Sequence, residues 1–183
     1  MCNNTTGTSF NFKGRNYKTV KIGNQVWMAE NLDLAGNGGI YYNNAQSPPF
    51  AKAGMLYTWQ QAMAAAPSGW HLPSDDEWQE LVIVAGGEQI AGNKLKTKSG
   101  WDDAKGKSGN GTDALGFSAL GGGYCSPDAE NKFRWLHCDG RWWSSSSKGE
   151  NHHALRLVHW SGLATIITKN IKGWFCSVRY VQD

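Results

Sequence analysis

Alternating apolar and polar residues predict β-strands near both ends of the chain. Residues 17–22 alternate, Gly23 and Asn24 form a turn pair, and residues 25–28 resume the apolar pattern, which is the signature of a β-hairpin. The C-terminal third contains further short strand patterns separated by glycine-bearing turns, at residues 154–160, 164–168 and 176–181. The pattern therefore predicts short antiparallel strands at the two ends of the chain.

Two helices are predicted between these strands. Residues 56–66 contain strong helix formers and stop at Pro67. A second helix begins after Ser74, with Glu77 three residues later as the other half of a capping box. Its apolar residues then fall on one face before two glycines end it: Trp78, Leu81, Val82 and Ala85.

The composition narrows the class of protein. At 183 residues the chain has room for one domain with a sizeable core. It contains 23 Gly and 10 Trp but only 18% charged residues, which is more typical of extracellular modules than of cytosolic enzymes. The net charge of +3 is scattered along the sequence, so we expect no nucleic-acid partner. Residues 99–123 hold eight glycines among aromatic anchors, which predicts a packed loop.

The first nine residues are small and polar and are predicted to be a tether. A cysteine at the extreme end, Cys2, followed by such a stretch resembles the mature end of a bacterial lipoprotein behind an added start Met. On this hypothesis Cys2 carries the lipid, and the protein contacts a membrane only through that anchor. The alternative is an arbitrary chain end. No apolar run reaches the roughly 20 residues that span a bilayer.

The sequence shows no catalytic or metal-binding pattern. His152 and His153 are neighbours on a predicted strand, so their side chains point to opposite faces and do not chelate one metal. A group of oxygen-bearing side chains in the glycine-rich loop can either hold Ca²⁺ or form ordinary turns, and we favour turns: Asp102, Asp103, Asn110 and Asp113. Cys125 and Cys138 either close a short loop by a disulfide or remain free. We expect no enzymatic activity, no cofactor and no metal.

Five strings of residues occur in an order that resembles the Fibrobacter succinogenes major paralogous domain family: 17–32, 66–74, 116–120, 140–145 and 177–179. The resemblance covers nearly the whole chain after the tether. It implies an α+β domain over residues 10–183 with a C-type-lectin-like fold, also found in formylglycine-generating enzymes. Such a domain has two helices, short antiparallel strands and long Gly/Trp-rich loops. The family is associated with bacterial surface lipoproteins, so we expect an extracytoplasmic protein anchored at the outer membrane or cell surface.

The resemblance also assigns structural roles. Five tryptophans become core anchors: Trp27, Trp59, Trp70, Trp78 and Trp142. Family members often carry cysteines, which we take as disulfide partners, where this chain has Ala66 and Tyr180. Further departures from the family pattern occur at Gly121, Arg141 and Cys176, and they concentrate after residue 120.

This clustering resembles the targets of diversity-generating retroelements, whose C-type-lectin-like domains carry a variable C-terminal segment. We therefore predict a variable region over residues 124–176 that forms a ligand-binding face. Strand alternation is expected to place Leu155, Leu157, Ile166 and Val178 inward. It places the following residues outward: Arg156, Val158, Trp160, Thr165 and Ile167. The alternative places Val158, Trp160 and Ile167 in the core. The predicted ligand-binding residues are Tyr124, Cys125, Ser126, Phe133, Trp135, His137, Arg141, His152, Arg156, Val158, Trp160, Thr165, Ile167 and Phe175.

The sequence therefore predicts a non-enzymatic, monomeric, surface-displayed protein that binds a protein or glycan ligand on a cell or phage surface. Two alternatives keep the same fold: a carbohydrate-binding lectin-like module, and a phage or surface adhesin receptor-binding domain. A third alternative is an enzyme of the formylglycine-generating type, which requires a close reactive cysteine pair. Cys125 and Cys138 are no more than nominal candidates for that pair.

Overall fold

The computed structural model of the protein describes residues 8–44, 50–127, 132–149, 151–159, 161–169 and 173–183. These residues form three antiparallel sheets and three helices, an α+β architecture with few helices. The helices are α1 (Trp59–Ala64), α2 (Asp75–Val84) and α3 (Glu88–Leu95). Within the described part of the chain, none of the helices combines the length and the apolar character needed to cross a bilayer.

The largest sheet has five strands in the order β1-β2-β3-β10-β4. Its strands come from both ends of the chain: β1 (Thr8–Phe12), β2 (Arg15–Ile22), β3 (Gln25–Met28), β4 (Trp70–His71) and β10 (Val181–Gln182). A two-stranded sheet pairs β5 (Tyr124–Cys125) with β6 (Phe133–Arg134). The third sheet has the order β7-β8-β9, with β7 (Asp139–Lys148), β8 (Asn151–Val158) and β9 (Ala164–Lys169).

The predicted N-terminal hairpin is confirmed. Strands β2 and β3 pair with Ile22 opposite Gln25, so Gly23 and Asn24 form the turn, and Gly23 takes the positive φ that such turns favour. Strand β1 begins at Thr8, two residues inside the predicted tether. The hydroxyl of Thr8 lies 2.6 Å from that of Thr19, its partner on β2. This cross-strand contact stabilises the pairing of the last tether residues with the sheet.

The capping box predicted for α2 is confirmed, since Ser74 and Glu77 exchange both bonds. Helix α1 is shorter than predicted because Leu56 and Tyr57 are bridged to Ile40 and Cys176, so the helix begins after the N-cap Thr58. Helix α3 has no counterpart in the sequence prediction. It contains Gly92, which weakens the helical signal but allows the close approach of Gly162 and Leu163, whose carbonyls a Cβ would meet at 2.7 Å.

Two clusters of buried side chains form the core. The first includes Trp27, Trp78 and Trp142, all predicted anchors, and all fully buried. The second contains Tyr57, Tyr180 and Trp143, a tryptophan that the sequence analysis did not count as an anchor. The other two predicted anchors, Trp59 and Trp70, are only partly buried at the edge of the second cluster.

The glycine-rich loop is packed, as predicted, and uses its polar side chains internally. Asn110 accepts a hydrogen bond from the Trp101 amide at 3.0 Å, and Asp113 accepts from the amide and the hydroxyl of Ser118, each at 2.7 Å. These bonds join residues nine and five positions apart, so they hold the loop together. Within the described residues no group of three candidate metal ligands comes together. Asn110 and Asp113 therefore use side-chain oxygens to stabilise the loop itself.

Candidate ligand-binding surface

The three-stranded sheet sets the faces of the C-terminal segment. Arg141, Arg156 and Thr165 lie opposite one another across β7, β8 and β9, so they share one face. Leu157 and Ile166 lie on the other face, within or against the first core cluster. The predicted alternation is therefore confirmed for these residues. For Leu155 and Val158 only the backbone is described, and Trp160 lies outside the described residues, as does Cys2.

The face that carries Arg156 is only partly open to solvent. Trp143 and Ala154 form its next row and are fully buried in the second core cluster. Ile167 lies opposite Ala154 and packs against the same cluster. This agrees with the alternative interpretation of the sequence, which placed Ile167 in the core. The outward prediction for Ile167 is thus corrected: it shares the face with Arg156 but contributes to the core.

A charged cluster lies at the open end of this face. The carboxylate of Asp139 is almost fully buried and accepts hydrogen bonds from two guanidinium groups. Arg156 approaches it through Nη2 at 2.7 Å and Nε at 2.9 Å, and Arg141 through Nη2 at 3.2 Å and Nε at 3.3 Å. Charged hydrogen bonds of this kind are stronger than neutral ones. Two cations share one carboxylate, so the cluster retains one positive charge.

The two arginines differ in exposure. Arg141 is buried because its guanidinium carbon lies 3.7 Å from the ring centroid of Tyr124 and 5.3 Å from that of Trp174. The two rings are themselves stacked, 4.8 Å apart and nearly parallel. Arg156, in contrast, keeps 32% of its side-chain surface exposed. Arg141 was predicted to contact a ligand; the structure instead buries it beside Arg156, with which it shares the Asp139 carboxylate.

Trp135 is the most exposed aromatic side chain among the described residues of this region, with 51% of its surface accessible to solvent. Its backbone is left-handed, with φ of 63°, and His137 two residues later has φ of 61°. A bulky residue rarely takes this conformation. The turn is held by the amides of Cys138 and Asp139, which both donate to the Trp135 carbonyl, and by the His137 amide, which donates to the Gly121 carbonyl at 2.7 Å.

Other aromatic side chains border this turn. Phe133 on β6 lies opposite Cys125 on β5, and Cys125 is in turn bridged to Phe175. The ring of Phe133 is 5.3 Å from that of Tyr42. Phe133 and Phe175 therefore flank one buried strand, and both remain partly exposed.

His152 does not face solvent. Its ring stacks on Trp59 at 4.5 Å and meets Trp143 edge-on at 6.1 Å. The neighbouring His153 points the other way, as the alternation predicts, and its Nδ1 pairs with the Asp75 carboxylate at the start of α2. His152 therefore packs α1 against β8, which corrects its prediction as a ligand contact.

The predicted site residues now fall into three groups. Five are buried: Tyr124, Cys125, Ser126, Arg141 and His152. Six are partly exposed: Phe133, His137, Arg156, Thr165, Ile167 and Phe175. Trp135 is exposed, and the side chains of Val158 and Trp160 are outside the description. Among these residues we define the recognition face as Phe133, Trp135, His137, Arg156, Thr165 and Phe175.

Three residues of this region escaped the sequence analysis: Asp139, Tyr42 and Trp174. Strand alternation from Arg141 places Asp139 on the same face, so that signal was present in the sequence. Tyr42 lies far from Phe133 in the sequence, so only the folded structure reveals that their rings are in contact. Trp174 was within the predicted segment, but nothing in the sequence indicates its stack with Tyr124.

The cysteines of this region are all free thiols. Cys125 and Cys138 therefore do not form the disulfide considered from the sequence. Burial raises the pKa of the Cys138 thiol to about 11, reinforced by the Asp102 carboxylate, to which Cys138 donates. Burial likewise raises the pKa of Cys125, and that of Cys176 to about 12. The Tyr180 hydroxyl, at one of the two positions where the family resemblance implies cysteine, donates to the Ala62 carbonyl at 2.8 Å.

Comparison with known proteins identifies the family. No curated protein and no solved structure matches the chain. The family model described as the Fibrobacter succinogenes major domain matches residues 20–182, a span that begins within β2 and includes every later strand and helix of the described residues. The chain therefore belongs to the Fibrobacter succinogenes major domain family.

Proposed function

We propose that the protein is a non-enzymatic ligand-binding protein that engages a protein or glycan partner through the recognition face. The observation that carries this proposal is Trp135, a half-exposed tryptophan in a left-handed backbone fixed by three backbone hydrogen bonds. Strained backbone and exposed aromatic side chains both concentrate at binding sites. A bulky side chain held in this way is better explained by recognition than by packing.

The surroundings of Trp135 support the same proposal. Asp139, whose amide bonds to the Trp135 carbonyl, also orients Arg156 through its carboxylate. Aromatic and arginine side chains are the commonest hot-spot residues of protein interfaces. Because Arg156 donates two hydrogen bonds to the buried Asp139 carboxylate, which Arg141 also contacts, its guanidinium is oriented before a ligand arrives, which lowers the entropy lost on binding.

The cysteine chemistry supports a non-enzymatic role. A formylglycine-generating type of catalysis needs reactive thiols, and the thiolate is the reactive form. The raised pKa of Cys138 and of Cys125 keeps both thiols protonated at neutral pH. We therefore favour binding over catalysis for this surface.

The finer fold and its biological setting belong to the same proposal. We propose a C-type-lectin-like fold whose segment 124–176 is varied by a diversity-generating retroelement, and surface display through a lipid on Cys2. The recognition face falls within this segment, and its residue types share no single polarity. A reverse transcriptase gene with a near-repeat of this segment beside the coding gene is the expected finding, and a locus without either would remove the retroelement part.

The binding proposal is tested with variants of two recognition-face residues and of one exposed residue outside that face. Trp135→Ala and Arg156→Ala are expected to abolish capture of a partner that the wild-type protein retains from cells or phage of the same habitat. Ile83→Ala is the matched control, because Ile83 is 63% exposed but lies on α2, outside the recognition face. Equal capture by all three variants would contradict the proposal. Chelator-sensitive glycan binding would instead favour a calcium-dependent lectin.

A further inference from the structure

A second surface, separate from the recognition face, forms a cleft of about 990 Å³. It lies between the outer end of strands β1 and β2 and the loop of residues 114–120. Lining residues include Thr8 and Ser9 of β1 and Val20 of β2. None of the six recognition-face residues lines it. Its volume is in the range of small-molecule binding sites.

The cleft concentrates positive charge. Five cationic side chains and one carboxylate line it: Arg15, Lys18, Lys21, Lys52, Arg179 and Glu30. Arg15 is paired with Asp33, which leaves three exposed lysines around the opening. The whole chain has a net charge of only +3. The fold therefore brings together in this cleft an excess of positive charge that the scattered sequence positions did not indicate. Clefts lined by one sign of charge focus the field on an incoming counter-ion.

Arg179 is the least expected member of this group because it is 1% exposed. Its Nε donates to the Asn31 side chain at 2.8 Å, its Nη1 to the carbonyls of Met28 and Phe117, and its Nη2 to the carbonyl of Ser118 at 2.8 Å. All of these acceptors are neutral. Glu30 and Asp113 contribute favourable charge only at longer range, and burial lowers the pKa of Arg179 to about 9. A buried cation bonded to neutral groups is costly unless an anion is near.

We propose that this cleft binds a phosphate group carried by a small polar molecule or a lipid headgroup. The inference is independent of the recognition face. Three lysines around the opening and a guanidinium in the wall match the two negative charges of a phosphate monoester better than the single charge of a carboxylate. The hydroxyls of Thr8, Ser9 and Ser118 also line the cleft and supply neutral donors.

The proposal is tested by titrating the whole protein with glycerol 3-phosphate in a calorimeter, and separately with vesicles of phosphatidylglycerol or phosphatidylcholine. The test variant is Lys18→Glu with Lys52→Glu, because both lysines are exposed and line the cleft. The control is Lys98→Glu with Lys148→Glu, which makes the same charge change at exposed positions outside the cleft. We expect the test variant to lose about tenfold or more in affinity and the control to lose much less.

The arms of the experiment separate the two sources of phosphate. Glycerol 3-phosphate binding that the test variant loses supports the cleft with a soluble ligand. Binding to anionic but not zwitterionic vesicles, again lost in the test variant, supports the cleft with a headgroup as its source. No binding in either arm, or equal losses in the test and control variants, would overturn the proposal. Neither result bears on Trp135 or Arg156, so this outcome is independent of the recognition face.

Discussion

The five-stranded and three-stranded sheets differ in whether their charged side chains are exposed or buried. In the five-stranded sheet the charges of β2 are exposed, as for Lys18 and Lys21, while its tyrosine and isoleucine are buried. In the three-stranded sheet Asp139 and Arg141 are buried on β7, and Arg156 completes their cluster from β8. On β2 the charged side chains face solvent and the large apolar ones face the core, whereas on β7 charged side chains are buried.

The difference indicates where stability was not the only requirement. Buried ion pairs rarely stabilise more than apolar residues of the same size would, so a cluster of this kind is weak support for stability alone. Departures from local rules are expected at functional sites. The cluster orients Arg156 at the recognition face, and we regard this as the reason for its position.

The largest expected effect comes from the core side of the three-stranded sheet. Trp142→Ala removes a fully buried ring and its 2.7 Å bond from Nε1 to Asn31, so we expect a loss of about 4 kcal/mol in the free energy of unfolding. Urea denaturation followed by circular dichroism measures it. Trp135→Ala, which removes an equally large but half-exposed ring, is the control and should change stability far less.

The next effect tests whether the buried charges depend on each other. Asp139→Ala leaves Arg141 buried without its carboxylate, and we expect destabilisation of about 3 kcal/mol. Asp102→Ala removes a mostly exposed carboxylate and serves as the comparison. If both variants unfolded at the same urea concentration, Asp139 would not be the electrostatic centre that the geometry indicates.

A smaller change in stability is expected for Arg156→Gln, about 0.5 kcal/mol, because this side chain is one-third exposed and its ion pair is partly screened. Affinity for a captured partner should nevertheless fall strongly. Unfolding and binding measured on the same preparation separate the two effects. A large loss of stability with unchanged affinity would assign Arg156 to structure instead of recognition.

The smallest effect concerns an ionic link in the five-stranded sheet. His71 on β4 contacts Asp183 and Glu77, each at 2.6 Å. Burial lowers the pKa of His71, but the two carboxylates outweigh burial and raise it above 6.5. Burial raises the pKa of Glu77, whereas bonds from Ser74 and His71 outweigh it and lower the value below 4.5.

The sign of the pH dependence follows from these shifts. The contribution of His71 is complete below pH 6.5 and is lost as pH rises through its raised pKa in the folded state. The contribution of Glu77 is complete above pH 4.5 and is lost at lower pH. The melting temperature of the wild type relative to His71→Gln should therefore be highest between pH 4.5 and pH 6.5. If the difference in melting temperature between the wild type and His71→Gln did not change with pH, the ionic link between His71 and the two carboxylates would be ruled out.

Much of the framework was predictable because it rests on local signals. The Gly23-Asn24 turn, the Ser74–Glu77 capping box and the alternation around Leu157 are short-range patterns, and each is confirmed. The family resemblance is confirmed by the match over residues 20–182. Helix α3 was missed because Gly92 breaks its propensity, although this glycine is what allows the helix to touch Gly162.

The site was less predictable because exposure depends on long-range packing. Arg141 and His152 have the composition of a binding surface, but Tyr124, Trp174 and Trp59 cover them from distant parts of the chain. The positive φ of Trp135 likewise comes from contacts with residues on either side of the turn. The charge of the cleft is formed by residues spread from Arg15 to Arg179.

The position of β10 has a consequence for how the five-stranded sheet is assembled. Val181 pairs with Trp27 on one side and with His71 on the other, so β10 joins β3 to β4 although the three strands are far apart in sequence. Without β10, strands β2 and β3 would still pair with each other, but β4 would lose its connection to the sheet. The order of this sheet therefore depends on a contact that forms only after distant parts of the chain have met.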